Sequence, residues 1–129
     1  QRELAFATAS DRLSLDVHPL AVNGGAASGT LTAADRADYY AVRVGSWDNL
    51  VLQLDAQAAG GVNEVYVSYQ TIPTRMQYDH KFAPGTSDVQ AIAPGVLAGG
   101  TFYALVFGDQ LAADGAYQIN AQLFLENAS

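Results

Sequence analysis

Hydrophobic and polar positions alternate with a period of two along much of this chain. The clearest case lies at residues 117–125, where alternate positions are apolar and most of the intervening ones are amides. Because successive side chains of a strand point to opposite faces, this alternation predicts half-buried strands there and at residues 39–44 and 50–55. The stretch 101–107, TFYALVF, is apolar on both faces and predicts a central, covered strand. The pattern predicts that the buried side chains include Tyr40, Val42, Leu52, Leu54, Val67, Val106, Ile119 and Leu123.

Turn-forming residues separate these runs. They are Asn23-Gly24-Gly25, Gly60-Gly61, Pro84-Gly85, Pro94-Gly95, Gly99-Gly100 and Asp114-Gly115. They divide the chain into about eight or nine strands at the spacing typical of a sandwich or barrel. Residues 26–38 are the stretch that could instead form a helical turn. The sequence therefore predicts an all-β fold, a two-sheet antiparallel β-sandwich of jelly-roll type, with under about a tenth of its residues helical.

Length, charge and cysteine content narrow the classes of function. A chain of 129 residues fits one domain with one core. Six Lys and Arg against 13 Asp and Glu give a net charge of −7 without a basic cluster, so we expect no nucleic-acid partner. No apolar run approaches the roughly 20 residues of a membrane-spanning helix, so we expect no membrane partner either. The absence of cysteine excludes disulfides, thiolate catalysis and cysteine-ligated metals.

From about residue 29 onward, short motifs follow one another in a defined order. They are Gly29-Thr30-Leu31, Asp38-Tyr39-Tyr40, Val65-Tyr66-Val67-Ser68-Tyr69, Pro73-Thr74, Tyr78-Asp79, Gly100-Thr101-Phe102-Tyr103, Val106-Phe107-Gly108 and Gly115-Ala116-Tyr117. In this order the chain resembles the bacterial pre-peptidase C-terminal domain, a β-sandwich appended to secreted peptidases and other extracellular enzymes. The resemblance implies a sandwich domain over residues 29–126, with residues 1–28 as an N-terminal edge strand or linker. Because the chain starts at Gln1, we expect a segment of a longer or processed protein, or an ordinary cloning boundary.

The resemblance also raises the question of calcium. Family members that bind calcium carry a Glu-x-Glu-Pro-Asn-like segment ahead of the sandwich, and its counterpart at residues 16–20 keeps only Asp16 and Pro19. Asp35 and Asp38 are then the candidate metal ligands, since calcium takes about six to eight oxygens and two carboxylates with backbone carbonyls are a minimum. In the structural alternative, Asp35 caps a turn and Asp38 accepts backbone N–H groups where the strand begins. We therefore expect either no cofactor or a structural calcium ion.

Aromatic residues are the candidate ligand-binding groups, because their flat amphipathic rings suit sugar rings and fibrous proteins. The candidates are Trp47, Tyr66, Tyr69, Tyr78 and Tyr103, and the predicted binding set is Trp47, Tyr66, Tyr69 and Tyr78. Trp47 lies in the turn at residues 45–49 and should be exposed, unless it packs on its own sheet edge. The valines of strand 65–70 share a face with Tyr69 and favour the core. We therefore expect Tyr69 to face inward, Tyr66 to be exposed, and Tyr78 to return beside Tyr66.

The sequence lacks the residues of a recognisable active site. Asp79 precedes His80, but consecutive strand residues face opposite sides, so Asp79 would orient His80 only if the chain turned there. No Gly-x-Ser-x-Gly elbow supplies a nucleophile. Arg75 and Lys81, in the same loop, are interpreted as solvated charges.

Three functions remain, from different classes. The first is a non-catalytic accessory module of a secreted, bacterial protein that binds an extracellular polymer, either a polysaccharide or a fibrous protein. The second is a structural spacer without a ligand. An independent hydrolase comes third because the catalytic residues are missing. As partners we expect the polymer and the flanking domains of a parent enzyme, with the module itself a monomer.

Overall fold

A computed structural model describes residues 16–57, 61–82, 88–110 and 115–124. Residues 1–15 of the expected N-terminal edge strand or linker lie outside these ranges. The described residues form nine strands and no helix, so the all-β prediction is confirmed. The strands are β1 (Val17–Pro19), β2 (Ala27–Thr30), β3 (Ala37–Val44), β4 (Asn49–Ala56), β5 (Val62–Tyr69), β6 (His80–Lys81), β7 (Val89–Ala93), β8 (Gly100–Gln110) and β9 (Ala116–Phe124). It follows that no helix in the described part of the chain is long and apolar enough to cross a membrane.

The strands form two sheets that pack face to face. One sheet has five strands in the order β1-β3-β8-β5-β6, and the other has four in the order β2-β9-β4-β7. All strand pairs are antiparallel except β1 with β3, which is parallel. Strand β8 contains the TFYALVF stretch and lies in the middle of the five-stranded sheet, as its double-sided apolar character predicts.

The core lies between the sheets and consists of the inward residues of each alternating strand. Leu50, Leu52 and Leu54 of β4 are at most 2% exposed, while their neighbours along the strand are half-buried or exposed. The other predicted core positions are buried as well, except Leu123. Leu123 is only half-buried because it lies near the end of β9, where fewer side chains surround it. The alternation therefore predicts the core correctly along most of each strand.

A hydrogen-bonded group of three side chains joins the two sheets at one end of the sandwich. The Tyr117 hydroxyl of β9 donates to Asp38 Oδ2 of β3 at 2.5 Å and lies 2.7 Å from the Tyr40 hydroxyl. Burial raises the pKa of both tyrosines, and the bond to Asp38 raises that of Tyr117 further. Strand β2 passes so close that a Cβ on Gly29 would lie 2.4 Å from the Tyr117 ring. Only glycine therefore leaves this ring enough space.

Candidate ligand-binding surface

The outer face of the five-stranded sheet carries aromatic side chains in addition to those of the core. Because Tyr40 and Phe102 point into the core, the residues that alternate with them, Tyr39 and Tyr103, point outward. The register places Tyr39 and Tyr66 on either side of Leu105. We call the outward set Tyr39, Tyr66, Tyr78, Tyr103 and Phe107 the aromatic face. Its members other than Tyr66 are half-buried, so part of each ring remains accessible to a ligand.

Tyr66 lies at the centre of this face but is covered. Its ring centroid is 4.9 Å from that of Tyr78 and 5.7 Å from that of Phe82. The expected return of Tyr78 beside Tyr66 is therefore confirmed. The expectation that Tyr66 is exposed is wrong, because the chain after β5 folds back over it and leaves only 7% of the residue exposed. Tyr66 thus supports the aromatic face from below.

An ion pair holds this folded-back loop on the sheet. Arg75 donates from Nε and Nη2 to the two carboxylate oxygens of Glu64 at 2.8 and 2.9 Å, and its guanidinium lies 4.1 Å from the Phe107 ring centroid. Glu64 Oε1 also accepts a 2.7 Å bond from the Tyr66 hydroxyl. The interpretation of Arg75 as a solvated charge is therefore incomplete: the side chain is exposed, but it also pairs with a nearly buried acid that the loop brings within reach.

These contacts change the ionisation of the groups involved. The bond from Arg75 holds the pKa of Glu64 below its ordinary value of 4.5, despite partial burial. Burial, with the bond to Glu64, raises the pKa of Tyr66 to about 12. At neutral pH Glu64 is therefore charged and Tyr66 remains a neutral donor.

Tyr69 and Trp47 lie elsewhere, at the end of the sheet where β3 ends and β8 begins. Tyr69 packs on the core against Phe102, with ring centroids 5.3 Å apart, which confirms its inward orientation. Its hydroxyl donates to the Gly99 carbonyl. Trp47 is 62% exposed, as predicted, with a φ of 60° that bulky residues seldom adopt. Of the four predicted binding residues, Tyr66 and Tyr78 are thus in contact with each other, while Tyr69 and Trp47 lie apart from them.

The two candidate metal ligands lie at the opposite end of the sandwich. Asp35 is exposed and follows a turn in which its own N–H donates to Thr32 Oγ1 at 3.0 Å. Asp38 accepts the Tyr117 hydroxyl described above. Its pKa is raised by burial, and to a smaller degree by the charge of Asp35, against the lowering effect of the Tyr117 bond. The structural alternative therefore differs in detail, because Thr32 supplies the capping oxygen of this turn by accepting the Asp35 N–H, and Asp38 accepts a side-chain hydroxyl.

The described residues fit a calcium ion poorly. In the ranges that the structure covers, no group of three or more His, Cys, Asp or Glu side chains is placed to hold a metal ion. Two carboxylates, one of which already accepts a strong hydrogen bond, fall short of the oxygens that calcium requires. Calcium at Asp35 and Asp38 stays a prediction, tested by thermal melts in millimolar calcium and in chelator. An Asp35→Ala/Asp38→Ala variant should lose any stabilisation if the site exists.

Asp79 and His80 contact the backbone of strand β5 and help to hold the loop against the sheet. Asp79 Oδ2 accepts the backbone N–H of Tyr69 at 2.8 Å, and the Asp79 N–H donates to Ser68 Oγ at 3.1 Å. His80 begins strand β6 and pairs with Val67. The carboxylate of Asp79 is thus engaged with the backbone of β5, where it fixes the end of the folded-back loop.

Comparison with solved structures supports the fold. Neither the protein-family models nor the curated proteins give a match. The pre-peptidase C-terminal domain of a collagenase from Bacillus anthracis matches with a TM-score of 0.67 and 16% identity over 84% of this chain and 97% of that chain. CorA, a surface-associated copper-binding protein of Methylomicrobium album, matches with a TM-score of 0.59 and 7% identity over 85% of this chain and 98% of that chain. PliG of Aeromonas hydrophila, a periplasmic inhibitor of g-type lysozyme, matches with a TM-score of 0.51 and 13% identity over 84% of this chain and 100% of that chain.

At these identities the likeness establishes the fold alone. The chain has the β-sandwich fold of the pre-peptidase C-terminal domain, as its ordered motifs predict. The aromatic face includes three residues that the predicted binding set omits: Tyr39, Phe107 and Tyr103, of which only Tyr103 was among the aromatic candidates. A signal for Tyr39 and Phe107 was present, since Tyr39 alternates with an inward tyrosine and Phe107 ends the TFYALVF stretch, which is apolar on both faces.

Proposed function

We propose that this chain, a sandwich with the pre-peptidase C-terminal fold, is a non-catalytic accessory module of a secreted bacterial protein that binds an extracellular polymer. The binding surface is the aromatic face, and the polymer is a polysaccharide or a fibrous protein. The observation that supports this proposal is the excess of aromatic rings on the outer side of a sheet whose inner side already fills the core. The extracellular setting is supported by the structural neighbours, which include a surface-associated and a periplasmic protein.

The physical properties of the aromatic face suit an extended ligand. Tyr39 and Tyr103 combine an apolar ring with a hydroxyl that can bond to a polymer, and they are half-buried in the free protein. Both stand on adjacent strands at the middle of a sheet, so little conformational entropy is lost on binding. Tyr78 extends the surface across the folded-back loop, which Arg75 holds in place. A rigid row of this kind can contact several units of a repeating chain.

A pull-down against insoluble polymers tests the proposal. Cellulose, chitin, xylan and collagen are each incubated with the wild type and with the Tyr39→Ala, Tyr78→Ala and Tyr103→Ala variants. Loss of an aromatic anchor costs on the order of 1–3 kcal/mol, so each variant should bind about 5- to 150-fold more weakly. Tyr66→Ala is unsuitable here, because Tyr66 is buried and its removal would disturb packing.

Two further variants complete the test. Phe124→Ala removes a partly exposed aromatic residue from the outer face of the other sheet and should leave binding unchanged. Trp47→Ala tests whether the exposed tryptophan contributes a separate contact. If no polymer retains the wild type, the chain is a spacer. If all three tyrosine variants bind as the wild type does, the aromatic face is not the binding surface.

A further inference from the structure

The outer face of the four-stranded sheet carries amide side chains in register. Asn120 of β9, Gln53 of β4 and Gln90 of β7 form a row across three neighbouring strands. Gln53 Nε2 donates to Gln90 Oε1 at 3.2 Å. With Asp55 and Asp88, this row lines an open groove of about 590 Å³. That volume falls within the range of small-molecule sites, roughly 300–1,000 Å³.

One oxygen in this groove lacks a hydrogen-bond partner. Asn120 Oδ1 is buried and accepts no hydrogen bond, the single such side-chain atom among the described residues. Buried polar atoms in folded proteins nearly always have a partner, because leaving one unpaired costs free energy. The amide row therefore holds an acceptor without a partner among the described residues. Asn120 itself is half-buried and lines the groove, so rotation of its terminal amide presents this oxygen to a ligand.

We infer that the groove is a second ligand site and that it takes a neutral oligosaccharide. A sugar hydroxyl both donates and accepts, so it can satisfy Asn120 Oδ1 and bond to the neighbouring carboxamides at once. Asp55 and Asp88 disfavour an anionic ligand, as does the net charge of −7. This site is independent of the aromatic face, which lies on the opposite side of the sandwich.

The residues beside the amide row suit the apolar side of a sugar ring. The next outward positions along the strands are Val51 and Ile92, which pair with each other, and Ile92 is 44% exposed. A row of hydrogen-bonding groups next to an aliphatic row matches a ring that has hydroxyls at its edge and C–H groups on its faces. A metal ion is a weaker fit, because the groove contains two carboxylates and no histidine.

Nuclear magnetic resonance titration of the ¹⁵N-labelled chain tests the inference. The probes are the soluble hexasaccharides of β-1,4-linked glucose, xylose and N-acetylglucosamine and of α-1,4-linked glucose, with calcium chloride as a separate probe. At least one sugar should shift the side-chain amide signals of Asn120, Gln53 and Gln90. Each of the variants Asn120→Leu and Gln90→Ala should weaken that binding about five- to tenfold, the effect of one lost hydrogen bond.

Matched variants separate the groove from the rest of the surface. Gln77→Ala removes an exposed amide from the loop over the other sheet, away from the groove, and should leave binding unchanged. Asn120→Leu should also raise the melting temperature by roughly 3–5 °C, because it removes the unpaired oxygen. Gln90→Ala, at an exposed position, keeps the test valid if the leucine variant does not fold.

Four results would overturn the inference. Two of them concern the titration: no amide signal shifts with any of the four sugars, or the shifts are confined to the aromatic face. The other two are a sugar affinity in both groove variants equal to that of the wild type, and a response to calcium alone. Shifts confined to the aromatic face would support the proposed function while excluding the second site. The failure of one proposal is thus distinguishable from the failure of the other.

Discussion

Replacing Arg75 by methionine tests whether the ion pair with Glu64 stabilises the fold. Methionine keeps an unbranched side chain over the Phe107 ring but removes the guanidinium. The two bonds to Glu64 and a 3.2 Å contact with Asp109 Oδ1 are then lost. Glu64, whose side chain is 11% exposed, would keep its charge with only the Tyr66 hydroxyl as a described side-chain partner.

The magnitude follows from these contacts. A hydrogen bond to a charged group contributes about 1.5–3 kcal/mol when buried, and we reduce the value to about 1–2 kcal/mol because the Arg75 side chain is 42% exposed. The cation–π contact with Phe107 adds about 0.5–1 kcal/mol. We therefore expect the free energy of unfolding to fall by about 1.5–3 kcal/mol, and the melting temperature by about 10 °C.

The assay is urea unfolding at pH 7 of the wild type, Arg75→Met, Glu64→Gln and the double variant. The coupling energy between the two positions should be about 1–2 kcal/mol. Arg43→Met, which removes an exposed arginine from strand β3, is the control and should change stability by less than about 0.5 kcal/mol.

The pH dependence provides a second measurement of the same interaction. The depressed pKa of Glu64 means that its ionised form stabilises the folded state. That contribution is complete above the ordinary pKa of 4.5 and is lost as the pH falls through the lower folded-state value. The difference between wild type and Arg75→Met should therefore shrink in acid. A pH-independent difference, or a loss below about 0.5 kcal/mol at pH 7, would refute the reasoning.

Three further predictions concern other parts of the fold. Tyr117→Phe removes the hydroxyl that bonds to both Asp38 and Tyr40 and should cost about 2–3 kcal/mol of unfolding free energy in urea. Asp38→Asn should be more stable than the wild type at pH 7, since burial raises the pKa of Asp38 and its charged form destabilises the fold above that pKa. The two stabilities should converge below the ordinary value of 3.8, and a difference that persists at pH 2.5 would contradict this cause. The free energy of unfolding of Trp47→Asn should equal that of the wild type or be higher by up to about 0.5–1 kcal/mol, because asparagine tolerates a φ of 60°. Trp47→Val should be less stable than Trp47→Asn, and the reverse order would contradict the strain.

The sequence by itself determined the class of fold and most of the core. Alternation with a period of two is a local property, so the inward positions of β3, β4 and β9 follow from the residue pattern alone. The same pattern correctly indicated the central position of β8 and the inward orientation of Tyr69. Turn residues set the strand boundaries closely enough to predict a sandwich.

Only the tertiary structure decided which outward residues meet. Tyr66 is buried because a later loop folds over it, and Arg75 is paired because that loop brings it to Glu64. Neither fact follows from alternation. The pattern predicts on which face of the sheet a side chain lies, but not whether another segment of the chain packs over that face. The amide groove depends in the same way on the register of β4, β7 and β9, which places Asn120 beside Gln53 and Gln53 beside Gln90 although they lie far apart in sequence. Long-range register, set by the packing of the whole sandwich, is therefore what creates both candidate surfaces.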